Sequence, residues 1–355
     1  MSKKLLIALV CAVLSGIALT FVACAPASEH VHEEKTLEKT LENKIYEITV
    51  CEQCEEELNR TLIAQYIAPG LTSSVDDSNV ITVKNKGGLK IFNTIMVNSY
   101  VPEKPFTVKL NKKFFSNKTV VLENDVDLTG YYWSPIDLDD TVESLTLDGK
   151  GNKITGLTLE GRGLYDEGSN HISAMFGLLS TNLTVKNITF EGANLSTKAS
   201  WSGFVVGRHK SGLLTCENLA FTNCKINGSI ENRSIRLGTI VGHCRLSAGA
   251  RINVTGCSVS SSSFKGYHNV CALIGTLDGA QAYPDSWSIT DCSVTDNEFI
   301  IGTSTPKFVN PYTCDTTYLE REAMEEYVEK NGMTDGKVVN SQSGNRFEYG
   351  CLDAA

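Results

Sequence analysis

Apolar residues are distributed along this chain in three ways. Residues 5–22 are almost continuously apolar. Between 37 and 66, Leu37, Leu41, Ile45, Ile48, Cys51, Leu58, Leu62 and Tyr66 recur at intervals of three, four or seven, which predicts one face of a long amphipathic helix ending before Pro69-Gly70. Beyond residue 70 the chain turns to short β-branched runs separated by Gly, Asn, Thr and Ser, and these runs repeat. Ile154-Thr155-Gly156-Leu157-Thr158-Leu159 has counterparts starting at Val185, Cys216, Val254 and Ile289, in steps of 31, 31, 38 and 35 residues. A second motif keeps the same clock: Met175-Phe176-Gly177, Val205-Val206-Gly207, Ile240-Val241-Gly242 and Leu273-Ile274-Gly275.

Within the first motif the apolar positions lie three and then two apart, as in Val185, Ile188 and Phe190, whereas a flat strand alternates with period two. The odd step predicts a bend. The residue before the second apolar position is Gly156, Asn187, Asn218, Gly256 or Asp291, all types that enter the left-handed backbone region at low cost. Each repeat thus predicts a bent strand pair, a variable turn and a short strand ending in glycine. One such unit cannot bury its apolar side alone, so the units must stack into a parallel solenoid.

The run Val120-Val121-Leu122-Glu123-Asn124-Asp125-Val126-Asp127-Leu128-Thr129-Gly130, then Trp133-Ser134-Pro135-Ile136, Leu147-Asp148-Gly149-Lys150-Gly151-Asn152-Lys153-Ile154-Thr155-Gly156-Leu157 and Met175-Phe176-Gly177, resembles bacterial surface proteins with GLUG-type repeats, over roughly residues 80–300. The resemblance implies a right-handed parallel β-helix of the pectate-lyase-like kind on an extracellular or cell-surface protein. It also implies a short helix before the first rung, with the segment from Gly88 to Met96 as its counterpart. The irregular insertion at 98–115 and the small number of rungs depart from the family pattern.

The chain opens with Lys3 and Lys4 ahead of the apolar stretch, the layout of an export signal. Phe21-Val22-Ala23-Cys24 resembles the lipobox of bacterial lipoproteins, which implies cleavage before Cys24 and lipidation of its thiol; Phe21 departs from the usual Leu. Two alternatives stay open, cleavage at Ala25-Pro26-Ala27 to give a secreted protein, and an uncleaved membrane anchor. All three put residues 30–355 outside the cytoplasm, at the cell surface, in the periplasm or secreted. The expected organisation is a signal peptide over 1–23, a lipid-anchored acidic linker and amphipathic helix over 24–70, an N-terminal cap with the first strands over 71–141, β-helix repeats over 142–302, and a C-terminal helix and tail over 303–355. The last helix is signalled by the capping-box spacing of Thr317 and Glu320, and its apolar side would cover the open end of the solenoid.

Composition narrows the function. The net charge is −9, which carries no electrostatic footprint for nucleic acid. The acidity is local: residues 29–60 hold ten acidic and four basic side chains. No phosphate loop, zinc-protease helix, nucleophile elbow or EF-hand loop is present, and no cofactor motif. Cys51 and Cys54 form a Cys-x-x-Cys pair without a second pair at zinc-like spacing. Cys216, Cys257 and Cys292 occupy core positions of the repeat and are expected as buried thiols. Cys314 and Cys351 lie outside the repeats and are the disulfide candidates.

For an enzyme, the carboxylate candidates are Asp125 and Asp127 beside Tyr131, Tyr132 and Trp133, followed by Asp137, Asp139 and Asp140, since two suitably spaced carboxyls can hydrolyse a glycoside. No such pair recurs on neighbouring rungs, and the acidic spacing follows no calcium loop. Trp201, Tyr267 and Tyr283, in turns that can vary without breaking the core, are the binding candidates. The expected function is a surface-tethered, non-catalytic, adhesin-like β-helix that meets a polysaccharide or a surface protein. The alternatives are a polysaccharide lyase or glycoside hydrolase on the same scaffold, and a structural spacer. The lipid anchor is checked by metabolic labelling with a fatty acid: the wild-type chain incorporates label and Cys24→Ser incorporates none.

Overall fold

A computed structural model describes residues 33–101, 109–160, 172–230, 234–267, 269–279, 282–302 and 340–349. The chain divides into two compact units, one of Met1–Leu41 and Ile45–Leu62, the other of Glu42–Lys44 and Ile63–Ala355. Cys24, the export segment, the helix expected after Thr317, Cys314 and Cys351 lie outside the described residues.

In the first unit the predicted amphipathic helix is absent. Three strands take its place: β1 (Glu34–Leu41), β2 (Lys44–Cys51) and β3 (Glu57–Ala68), each hydrogen-bonded to the next in that order. The run Lys44–Val50 is rich in β-branched and aromatic residues, and these favour strands. The turns put Glu42 at φ 56° and Glu55 at φ 58°, conformations that break a helix outright. Along β3 the partly buried Leu62, Ala64 and Tyr66 alternate with exposed Ile63 and Gln65. Positions that fit a helical stripe therefore also fit a period of two, and strand propensity decided between them.

The second unit is mainly β, a parallel solenoid of about six turns. It begins with β3 folding back antiparallel on β4 (Leu71–Ser74) and β4 on β5 (Val80–Val83), and from β5 onward the pairing is parallel. Between β5 and the next strand lies α1 (Lys86–Val97), capped by Asn85, whose side chain accepts from the Gly88 amide at 3.1 Å. Leu89, Phe92, Ile95 and Met96 on α1 are buried in the same core as the first turns, as the family resemblance implied. Among the described residues it is the only α-helix.

Each full turn contributes to four sheets. The first sheet carries the bent strands. Its inward ladder runs Val120, Leu147, Val185, Cys216, Val254 and Ile289 through successive turns, and after the bend Ile154, Phe190, Phe221, Val259 and Val294. The bend residues are all left-handed: Gly156, Asn187, Asn218, Gly256 and Asp291 have φ of 63°, 55°, 52°, 63° and 54°. Their side chains also ladder, since the Asn218 amide donates to Asn187 and the Asn187 amide to Asp148, each at 3.1 Å.

A second left-handed ladder, Gly192, Asn223, Ser261, Asp296 and Gly344, turns the chain into the second sheet. There Leu159, Leu195, Ile226, Phe264 and Phe299 stack inward. Rings stack along these ladders, Phe190 on Phe221 at 5.0 Å and Phe264 on Phe299 at 4.9 Å, each pair worth about 0.5–1.5 kcal/mol beyond area burial. The strands Asn340–Ser343 and Arg346–Tyr349 extend the first and second sheets in parallel.

The third sheet holds Ile172–Ser173, Trp201–Gly203, Arg236–Gly238 and Asn269–Val270. The fourth holds Ile136–Leu138, Phe176–Leu179, Val206–His209, Val241–Arg245 and Leu277–Asp278. The second sequence motif makes the corner between them. A Cβ on Gly242 would run into the Ser202 backbone, and one on Gly207 into the Ile172 side chain. Glycine at these points lets the two sheets lie against each other.

The core thiols form no disulfide. Cys216, Cys257 and Cys292 are buried; burial raises the Cys216 thiol, and the hydrogen bond between Cys257 and Cys292 raises the thiol of Cys257 and lowers that of Cys292. His209 is wholly buried, with Nε2 donating to the Gly212 carbonyl at 3.0 Å and Nδ1 accepting from the Cys244 thiol at 3.2 Å. Burial pushes its pKa from 6.5 down to about 4. Between those values the unfolded chain binds the extra proton, so the contribution of neutral His209 is complete above pH 6.5 and is lost as pH falls through about 4. Acid titration of urea stability should show this limb, on the order of 3 kcal/mol, flattened in His209→Gln. An imidazole resonance that titrates near 6.5 in the folded protein would contradict it.

Candidate functional site

Asp125, Asp127, Asp137 and Asp139, named for the alternative, enzymatic reading, are tied to backbone amides, some within a turn and some on the neighbouring rung. Asp125 accepts the Lys153 amide and Asp127 the Thr129 amide, each at 2.8 Å. The Thr129 hydroxyl and amide hold the Asp127 carboxyl below its ordinary value. Asp137 accepts the Leu178 amide at 2.8 Å. Asp139 is partly buried, which works against its charge, yet Lys112 and Thr141 hold its pKa below the ordinary value. Trp133 is buried with its indole N–H on the Met175 carbonyl, and Tyr131 hydrogen-bonds Asn93. A carboxylate that caps a backbone N–H is poorly suited to accept a substrate proton.

Cys51, the last residue of β2, is buried and Cys54 in the following turn is exposed, and neither forms a disulfide. A backbone hydrogen bond at Glu56 favours the Cys54 thiolate, but the hydrogen bond with Cys51, burial and nearby charge outweigh it and leave the thiol above its ordinary value. An activated redox thiol needs the opposite shift.

Chemistry gathers instead where the third and fourth sheets meet. Register stacks Trp201 beneath Arg236 in the third sheet, and Leu178, Arg208 and His243 in the fourth; one strand further on, Arg245 pairs with Asp278. Because glycine at 207 and 242 closes the corner, the two ladders touch. The Arg208 guanidinium lies 4.0 Å from the Trp201 ring centroid, and the His243 ring stacks on the same indole at 5.5 Å. His243 Nε2 donates to the Asp278 carboxylate at 2.7 Å, which fixes the ring's orientation. Arg236 donates one guanidinium N–H to the Ser234 carbonyl at 2.8 Å.

Three guanidinium groups, Arg208, Arg236 and Arg245, thus face one carboxylate, Asp278. Burial depresses the Arg208 pKa, with the charges of Arg245 and Arg236 adding to it and Asp278 opposing. Arg236 is likewise depressed by burial against Asp278. The arginines nevertheless stay charged at any physiological pH. His243 is pushed down by burial and by both arginines despite Asp278, so its imidazole is neutral at pH 7. Among the described residues, Arg208 Nε, Arg236 Nε, Trp201 Nε1 and His243 Nδ1 are buried without a hydrogen-bond partner. Buried polar atoms left without partners are costly; with Nε2 carrying the proton, His243 Nδ1 is an acceptor, and the three donors, Arg208 Nε, Arg236 Nε and Trp201 Nε1, beside an excess of positive charge suit an acceptor that carries negative charge.

Beside this patch is a cavity of about 480 Å³ lined by His243, Arg245, Leu246, Ser247, Asp278, Gly279 and Tyr283. Two of the three aromatic binding candidates meet here: Trp201, nine-tenths buried, and Tyr283, exposed at the rim. Tyr267 instead packs against the core. Sequence reasoning missed the arginines and His243, although one signal was available. The position after the motif glycine reads Leu178, Arg208, His243 and Thr276, so two successive turns carry basic side chains where a neighbour carries leucine.

No family model matches the chain, and no curated protein matches it. Among solved structures, the crystal structure of a "putative immunoglobulin A1 protease" from Bacteroides ovatus matches with a TM-score of 0.31 and 11% identity, covering 77% of this chain and 85% of the other. At that level the likeness carries neither fold detail nor activity.

The repulsion within the patch has a measurable signature. In a double-mutant cycle of Arg208→Met and Arg236→Met, either substitution alone relieves the repulsion. The double variant should therefore be less stable than the sum of the singles predicts, by about 0.5–1 kcal/mol. Urea titrations at low and high salt check it, the coupling shrinking as salt screens the pair; additivity at low salt would show that the two charges do not interact.

Proposed function

We propose that this chain is an exported bacterial lipoprotein, anchored through Cys24 and built as a right-handed β-helix of the GLUG-repeat kind, that binds an acidic surface polymer without chemically altering it. The observation that carries this reading is the patch of Arg208, Arg236 and Arg245 around Trp201 and His243, with Asp278 as its one carboxylate among the described residues. The chain as a whole is acidic and would repel a polyanion, so binding one requires a local excess of cations. Arginine on an aromatic face is held in place while keeping its charge. The engagement of Asp125 and Asp127 by backbone amides argues against hydrolysis by paired carboxylates.

A carbohydrate-active enzyme on the same scaffold is the second reading, favoured by one observation, the His243–Asp278 pair at the mouth of the cavity. An oriented imidazole next to cations that neutralise an acid group is a plausible arrangement for proton abstraction.

Both readings are tested together with the purified protein on acidic and neutral polysaccharides. Affinity electrophoresis should show retardation by polygalacturonate, alginate or hyaluronan and none by dextran, weakening as salt rises. The Arg208→Met/Arg236→Met protein should bind at least about tenfold more weakly. Prolonged incubation should yield no new reducing ends and no unsaturated products; product formation that His243→Gln abolishes would establish the enzyme instead.

A further inference from the structure

The patch and the cavity share a wall, and the shared wall says what the ligand looks like. His243 is nine-tenths buried between them: one face of its ring lies on Trp201, on the side of the arginines, while its Nε2 holds Asp278, which lines the cavity. On the first side the groups are cationic, and several donors lack acceptors. On the second side the lining is of mixed character: the Tyr283 ring at the rim, the apolar Leu246, the Ser247 hydroxyl, and the Arg245 guanidinium together with the Asp278 carboxylate.

The cavity's volume of about 480 Å³ falls in the range of about 300–1,000 Å³ usual for small-ligand sites. Tyrosine presents a flat apolar ring with a polar tip, and a carboxylate is an acceptor only, with room for several donors. A flat aromatic ring suits the apolar face of a sugar, and a carboxylate and a hydroxyl suit its hydroxyl groups. In the cavity the Arg245 and Asp278 charges offset each other, whereas at Arg208 and Arg236 no carboxylate among the described residues lies beside the guanidinium groups on that side, so an anion is favoured there.

We infer that the site holds an acidic glycan in two subsites, an anionic substituent at Trp201, Arg208 and Arg236 and an adjoining uncharged sugar face in the cavity between Tyr283 and Asp278. This rests on the reading of the chain as a binder of acidic polymers and divides that recognition between two neighbouring places. The anion is a carboxylate or a sulfate ester, since a guanidinium edge offers parallel donors to either. The division predicts that a single charged sugar uses the arginines alone, whereas an oligomer also uses the cavity.

The test compares the wild-type protein, Arg208→Met/Arg236→Met and Tyr283→Ala by calorimetric titration with four probes: free galacturonate, a galacturonate trimer, the same trimer with its carboxyls reduced, and a sulfated disaccharide. The expected result is that the trimer binds more tightly than the monomer, that the arginine variant loses at least about tenfold for every charged probe, and that Tyr283→Ala loses about tenfold for the trimer while leaving the monomer unchanged. Binding of the sulfated probe with the same variant pattern also supports the proposal and identifies sulfate as an accepted anion. Equal trimer affinity in Tyr283→Ala and wild type would overturn the two-subsite inference and leave anionic binding standing. Binding of the reduced trimer as tightly as the acidic one, or binding of no charged probe, would overturn both.

Discussion

Parallel strands about 4.8 Å apart place each side chain directly over its equivalent in the turn beneath, and the fold of the second unit depends on keeping that register through every bend. The left-handed residues at 156, 187, 218, 256 and 291 make this possible. Each turns the strand at the same point of its circuit, so apolar positions two residues before and one and three after still face the same interior. A β-branched residue there would strain its own turn and also misalign the two turns packed on it. The side-chain hydrogen bonds from Asn218 to Asn187 and on to Asp148 link these bends to one another as well as to the backbone.

The same constraint produces the candidate site. Stacking in register puts like on like, which is harmless for phenylalanine and threonine and unfavourable for charge. On most outward ladders the charges are interrupted: Glu191 is followed by Thr222, and Lys225 by Ser263. At the corner of the third and fourth sheets the charges gather across two ladders instead. Trp201 is followed by Arg236, and Arg208 by His243, while glycine at 207 and 242 brings the two ladders together. Folding alone offers no gain from gathering guanidinium groups beneath an indole and leaving their Nε donors unbonded. An unfavourable arrangement that the surrounding scaffold holds in place points to function.

How much of this was legible in the sequence follows from the range over which each feature is encoded. The bends are local, one residue between two apolar positions, so Gly156, Asn187, Asn218, Gly256 and Asp291 could be identified from spacing and residue type. The core place of Cys216 followed from aligning it with Val185 and Val254, and the structure pairs it with both. The segment over 37–66 misled because its apolar positions fit two periods, and the propensity of Lys44–Val50 outweighed the helical spacing. The second set of left-handed corners, Gly192, Asn223, Ser261 and Asp296, went unread because the inward position just after each is small or polar, Ala193, Cys224, Ser262 and Asn297, so the apolar step from Phe190 to Leu195 and its equivalents lacks the large middle residue that marks the first bend.

The site was the least legible part, for a geometric reason. Its strand-borne members come from five strands of two sheets and three successive turns, separated by as many as 77 residues between Trp201 and Asp278. No motif spans such a distance. Tyr283 could be picked as an exposed aromatic outside the strands, but Trp201, expected in a variable turn, is buried at the start of a strand, and nothing local says that one lies under arginines and the other at the rim of a cavity. The acids around residues 125–140 illustrate the converse: dense in sequence and rich in apparent chemistry, they are dispersed among backbone amides once folded. In a solenoid, neighbours in sequence are spread around one turn and neighbours in space are a full turn apart. Functional groups are therefore better sought by reading down the register, one position across all repeats, than by reading along the chain.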